Sequence, residues 1–256
     1  MKKRLIVIGD LHCGHRGGLT PPAWQISGGK SPKINALQSE MWKKYRELVR
    51  KYKAFDGKLM LVCNGDAIDG DVARGELTES DLLQQVKMAQ TCIDVWGAKE
   101  HFFMEGTPFH TGKVVRFEEV LADKYDEELL EEEFLTINGH VFYFRHKVGR
   151  SGLPHGRHTA PAKESMLNRL EYERGQCPKA DTLCFSHVHY HTFSGYPGTT
   201  AMTLPALQTI SNYGGRECSG QIDWGITVFD VDNSGSCSWV ADTQIIEGTK
   251  KVARKA

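Results

Sequence analysis

Carboxylates and imidazoles recur at the ends of short apolar runs in this 256-residue chain, in types that suit divalent metal ions. Leu5-Ile6-Val7-Ile8-Gly9 leads into Asp10-Leu11-His12, and Leu59–Cys63 leads into Asn64-Gly65-Asp66-Ala67-Ile68-Asp69. His101–Met104 leads into Gly106-Thr107-Pro108-Phe109-His110, Val141–Phe144 into Arg145-His146, and Thr182–Phe185 into Ser186-His187-Val188-His189. An Asp and a His two apart usually serve a turn, so one such pair says little. Five deliveries are a different matter. Carboxylate and imidazole donors suit Zn, Mn or Fe, and a carboxylate between two ions can bridge them with one oxygen each. Two ions about 3.5 to 4 Å apart can activate a water and stabilise the attacking and leaving oxygens of an in-line phosphoryl displacement.

The elements that must hold these residues alternate along the first half. Each apolar run reads as a buried strand, and open α/β sheets place ligands at the carboxyl ends of their strands. Leu37, Met41, Tyr45, Leu48 and Tyr52 give an amphipathic helix expected to start at Ser31-Pro32 and to end near Asp56-Gly57. Leu82, Val86, Ala89, Ile93 and Trp96 give a second, its amino terminus marked by Thr78, Glu79 and Asp81. The Gly-, Pro- and His-rich stretch from Cys13 to Gly29 reads as a long surface loop. Residues 116 to 125 read as helical, and the seven carboxylates between Asp123 and Glu133 as solvated surface. Asn138-Gly139 between two apolar arms is a type I′ hairpin signal. A helix near Pro161 carries Ala162, Met166 and Leu170 on one face, and short β segments follow at Thr200–Leu204, Ile226–Val231 and Ser238–Ile246.

Thirty-two basic residues balance 32 acidic ones, so the chain as a whole is not an electrostatic trap for nucleic acid or anionic membrane. Seven cysteines with no C-x-x-C pair argue against a disulfide framework and a thiolate zinc site, and lead to the expectation of reduced thiols and a cytoplasmic protein. No segment approaches the roughly 20 apolar residues of a membrane helix. With no repeat or linker, the expectation is one domain over residues 1–248 and a basic tail over 249–256.

The five deliveries, in order and approximate spacing, resemble the calcineurin-like metallophosphoesterases, whose pattern is D-x-H, G-D, G-N-H-[D/E], H and G-H-x-H. The resemblance implies an α/β fold, a four-layer α/β/β/α sandwich with two mixed β-sheets, and residues 1–248 as a metallophosphoesterase domain. It implies two divalent metal ions (Mn, Fe or Zn, with Mn foremost in vitro), one held by Asp10, His12 and His189, the other by His146 and His187, with Asp66 bridging. Metal-activated hydroxide would be the nucleophile, so neither a serine nor Cys13 need serve. Two departures stand out. Thr107 occupies the asparagine ligand position, and the histidine expected next to it comes three residues later as His110, a candidate general acid whose alternative role is that of a ligand. Serine replaces glycine at 186.

Asn64 and Asp69 flank Asp66 and are expected to cap the turn or support the ligands. His15, Arg150, Arg157 and His158 are candidates for contacts to substrate phosphate, within a basic stretch that includes Arg145, Lys163 and Arg169; ordinary surface charge is the alternative. The expected function is dinuclear-metal phosphoester hydrolysis on a phosphoester partner, foremost a phosphodiester, nucleic acid among the candidates, with no membrane partner and an open oligomeric state. A catalytically weakened metal-binding scaffold, a nucleic-acid-binding module, and a phosphomonoesterase or protein phosphatase are the alternatives.

Overall fold

The first apolar run forms strand β1 (Lys3–Ile8), whose alternate residues enter two different cores: Leu5 and Val7 one, Ile6 and Ile8 the other. A strand covered on both faces has to be apolar throughout, which is why this run shows no alternation. The computed structural model of the chain describes residues 1–22, 34–71, 76–111, 116–209 and 222–249. The expected helix start at Ser31-Pro32, the loop residues beyond 22, and nearly all of the basic tail lie outside the described residues.

Helix α1 (Ala36–Lys53) is begun by Asn35, whose side chain accepts from the Gln38 N–H while Gln38 returns a bond to the Asn35 N–H, a reciprocal cap. Strand β2 (Lys58–Asn64) follows, then helix α2 (Leu82–Asp94), capped by the Asp81 carboxylate, and strand β3 (Glu100–Met104). Tyr45 donates to the Cys92 carbonyl and accepts from Trp96 Nε1, each at 2.7 Å, fastening α1 to α2. The short helix α3 (Pro108–Thr111) and helix α4 (Phe117–Ala122) precede β4 (Leu129–Leu130), which lies inside the acidic run. The hairpin β5 (Glu132–Ile137) and β6 (His140–Arg145) turns as expected, with φ of 50° at Asn138 and 93° at Gly139. Helix α5 (Thr159–Glu173), β7 (Thr182–Phe185), β8 (Thr192–Tyr196), β9 (Thr199–Thr203), β10 (Trp224–Val231) and β11 (Cys237–Gln244) complete the chain.

Two mixed sheets result. One has the order β11-β10-β1-β2-β3-β4, with β1 to β4 parallel; the other has the order β5-β6-β7-β9-β8, with β6, β7 and β9 parallel. They pack face to face through Val7, Val62, Phe142, Phe144, Cys184, Met202 and Phe229. Helices α1 and α2 cover the outer face of the first sheet, and α5 lies against β7, β8 and β9. This is the expected four-layer α/β/β/α sandwich. No helix among the described residues is long and apolar enough to cross a membrane.

Two expectations are corrected. The stretch after His12 is not a surface loop in its described part: residues 17–21 are buried, and Cys13 donates to the Ala67 carbonyl and Leu19 to that of Leu11, so its backbone continues the pairing of β1 with β2. On α5 the face of Met166 and Leu170 points outward, 64% and 53% exposed, while Pro161, Ser165 and Asn168 are buried. Polar anchors set that rotation: Asn168 bonds the Pro178 carbonyl and the Ala180 N–H, each at 3.0 Å, and Arg145 pairs with Glu164 at 2.7 Å.

Phe229 lies between the sheets, edge-on to Phe142 with ring centroids 5.1 Å apart. Phe229→Ala is expected to lower stability by about 3–5 kcal/mol in urea unfolding, and a loss under about 1 kcal/mol would contradict this packing.

Candidate metal centre

Every candidate ligand lies just past the carboxyl end of a parallel strand: Asp10 and His12 after β1, Asp66 after β2, Thr107 after β3, His146 after β6, His187 and His189 after β7. Because the two sheets pack face to face, these ends open toward one volume. Asp10, His12, Asp66, His187 and His189 all take positive φ, between 45° and 73°. Among the described residues the only other non-glycines that do so are Asp126 and Asn138. Such a backbone costs on the order of 1–3 kcal/mol per residue and persists only where its surroundings impose it. Close approach also dictates two glycines: at Gly65 (φ +81°) a Cβ would run into the His146 ring, and at Gly106 into the Asp66 carboxylate.

Three overlapping groups form: Asp10, His12 and His189; His12, Asp66 and His110; Asp66, His146 and His187, the ligand atoms of each within 4.8 Å of one another. Asp66 belongs to groups on both sides. Its Oδ2 lies 3.1 Å from His146 Nε2 and 4.0 Å from His12 Nε2, and Asp10 Oδ1 lies 3.0 Å from His189 Nε2. Hydrogen bonds fix three of the rings. His12 Nδ1 meets Asp69 Oδ1 at 3.0 Å, His146 Nδ1 donates to the Asn64 carbonyl at 2.7 Å, and His110 Nδ1 donates to the Asp69 carbonyl at 2.9 Å. Each Nε2 is thereby left toward the cluster, and a carboxylate behind an imidazole raises its basicity as a ligand. Asp10 Oδ1, His12 Nε2, His146 Nε2 and His189 Nδ1 are buried with no hydrogen-bond partner among the described residues. Buried polar atoms are otherwise almost always satisfied, so this set fits a bound cation.

The charges follow from the same contacts. Burial opposes ionisation of Asp10, yet His189, His12 and His146 hold its carboxyl well below the usual range; Asp66 is held down in the same way by His146, then His110 and His12. Against burial, Asp10, Asp69 and Asp66 lift His12 to about 10, and Asp66 and Asp10 lift His146 to about 9. Burial and His146 push His187 down to about 4, and burial and His12 lower His110.

Thr107 meets the cluster through Asp66: its N–H donates to Oδ1 at 2.6 Å, and its hydroxyl lies 3.2 and 3.3 Å from the two carboxylate oxygens. Asn64 donates to Ser186 Oγ at 2.8 Å, so the serine in place of glycine holds the residue that holds His146. Among the residues expected to touch substrate, His15 is buried with Nδ1 accepting from the Gly17 N–H and Nε2 3.2 Å from Glu76, which makes it a support of its loop rather than a substrate contact. Arg157 is buried with its guanidinium 4.6 Å over the Tyr190 ring, while Arg150 and His158 are exposed between β6 and α5. Arg145 and Arg169 pair with Glu164 and Glu173, the surface-charge alternative. Two buried supports escape the sequence reading. Gln85 of α2 accepts from the Asp69 and Gly70 N–H groups, and Glu118 of α4 accepts from those of Ala67 and Gly106. A carboxylate on the same helix face as Leu121 and Ala122 was the available signal for Glu118.

No family model matches the chain, and no curated protein matches it. Solved structures similar to it include Vps29 complexed with zinc from Entamoeba histolytica (14% identity, 93% of this chain and 98% of that one, TM-score 0.46). Vacuolar protein sorting 29 from Cryptosporidium parvum is also similar (12%, 95% and 99%, 0.47), as is an archaeal phosphodiesterase (10%, 93% and 98%, 0.46).

In metal-free protein, imidazole NMR titrations are expected to place His12 near 10, His146 near 9 and His187 near 4. Since the first two lie above the ordinary 6.5, their stabilisation is complete below that value and is lost as pH rises through 9 to 10. The melting temperature of chelator-treated protein should fall over that interval, and three histidines titrating together near 6.5 would contradict the geometry.

Proposed function

We propose that the chain is a metal-dependent phosphoesterase of the calcineurin-like metallophosphoesterase family, acting on phosphodiesters, nucleic acid among them. The observation that carries this reading is that Asp10, His12, His146 and His189 each hold a buried side-chain atom without a hydrogen-bond partner among the described residues, while the candidate ligand atoms of Asp10, His12 and His189, and likewise those of Asp66, His146 and His187, lie within 4.8 Å of one another. In this reading Asp10, His12 and His189 hold one divalent ion, His146 and His187 the other, and Asp66 lies between them. Two such ions, when bound, supply an activated water and neutralise charge on the phosphoryl oxygens.

The protein's own groups do the rest. His187, its pKa lowered, is neutral at pH 7 and offers a lone pair. Thr107 turns the Asp66 carboxylate by donating to it from the backbone, a part that replaces direct ligation. His110 is anchored through Nδ1, and its side chain is 14% exposed; in its imidazolium form, made more acidic by burial and His12, Nε2 is the position from which a proton reaches the leaving alkoxide. Asp69 orients His12 through its carboxylate and His110 through its carbonyl, linking ligand and acid.

Turnover of bis(4-nitrophenyl) phosphate with added Mn²⁺, abolished in Asp66→Asn, is the expected result. His110→Ala should keep two ions bound and lose about 100-fold or more in kcat, most on substrates with poor leaving groups. Loss of metal in that variant would make His110 a ligand. Wild-type protein inert with every divalent ion tried would instead favour a metal-binding scaffold, the reading that Thr107 motivates.

A further inference from the structure

Helix α4 places a carboxylate beneath the centre that takes no part in the proposed chemistry. Glu118 is 2% exposed. Its Oε1 accepts the Ala67 N–H at 2.6 Å and its Oε2 the Gly106 N–H at 2.8 Å. Ala67 directly follows Asp66, and Gly106 directly precedes Thr107. One side chain thus fastens the loop after β2 to the loop after β3, and across that junction Thr107 donates to Asp66. Burial and the neighbouring Asp66 charge push the Glu118 carboxyl up to about 7 while these two backbone N–H groups oppose the shift, and two hydrogen bonds on one carboxyl group fix the spacing of their donors. No Cβ at 106 could share this space with Asp66, so the loop has little room to adjust if the clamp is removed.

We infer that Glu118 is a positioning residue of the metal centre, setting the separation of Asp66 from the Thr107 loop so that divalent-ion affinity depends on a group that touches neither ion nor substrate. The inference rests on the phosphoesterase reading above. A carboxylate serving the fold alone would alter unfolding and leave metal binding unchanged in the folded protein; a positioning carboxylate alters both.

The test compares full-length wild type, Glu118→Gln and Glu118→Ala by calorimetric titration with Mn²⁺, by kcat at saturating Mn²⁺ on bis(4-nitrophenyl) phosphate, and by circular dichroism. Affinity for at least one ion is expected to fall about 10- to 100-fold, as for other residues that orient metal ligands, and further in the alanine variant because glutamine keeps one accepting oxygen. Folded variants with lower melting temperatures but unchanged affinity and kcat overturn the inference while leaving the phosphoesterase reading in place. Wild-type protein that binds no Mn²⁺ overturns both. Should either variant fail to fold, amide hydrogen exchange of the wild type decides: the Ala67 and Gly106 amides should be protected like those of strand residues, and exchange at the rate of exposed loop amides overturns the clamp.

Discussion

Asp10 has no exposed surface, keeps its charge against the cost of burial, and has one oxygen, Oδ1, without a hydrogen-bond partner among the described residues. Removing a carboxylate from water carries a penalty of several kcal/mol unless opposite charge and hydrogen bonds offset it. The surroundings of Asp10 are arranged around that requirement. The His187 N–H reaches its Oδ2 at 3.1 Å, His189 Nε2 lies 3.0 Å from Oδ1, and the Nε2 atoms of His12 and His146 stand 3.9 and 4.0 Å from Oδ1. Where the two sheets' strand ends meet, five candidate ligand residues take left-handed backbone conformations, which the ladders of β1, β2 and β7 must hold in place.

Support for the centre comes from every layer. Gln85 reaches from α2 to the Asp69 turn, Glu118 from α4 to the loops after β2 and β3, and Asn64 joins the two sheets by accepting from His146 and donating to Ser186. None of these groups faces solvent. Buried polar groups with complete sets of partners rigidify a site, whereas an unsatisfied remainder marks where something else must bind. The centre combines the two: Gln85 and Glu118, partnered through both atoms of their head groups, stand around its outside, and partnerless atoms of Asp10, His12, His146 and His189 lie within, with Asn64 Oδ1 and Asp69 Oδ2 also without partners among the described residues.

The clustering of the candidate ligand residues was legible because each follows an apolar run long enough to be a buried strand, and parallel strands deliver their ends to one side. The four-layer fold was legible through the same alternation together with the Asn138-Gly139 turn. What stayed hidden depends on tertiary contacts. Glycine and histidine content marks Cys13 to Gly29 as loop, but nothing local tells that His15 is buried against Glu76 or that Cys13 pairs with the Asp66 turn. Asn168, a polar residue in a helix, decides the rotation of α5 and leaves Met166 and Leu170 outside, against the apolar stripe. Thr107 stands at the asparagine ligand position in the sequence reading, which does not show that its N–H donates to Asp66 Oδ1. Glu118 sits close to an acidic surface run, and only the fold separates the one buried carboxylate from its solvated neighbours.

The central claim is that the unsatisfied lone pairs on either side of Asp66 are filled by a pair of divalent ions. Anomalous diffraction from crystals of the protein soaked in Mn²⁺ tests it directly. The expected map has two manganese peaks about 3.5 to 4 Å apart with the Asp66 carboxylate between them. Crystals that take up manganese elsewhere and show no peak among Asp10, His12, Asp66, His146, His187 and His189 would contradict it.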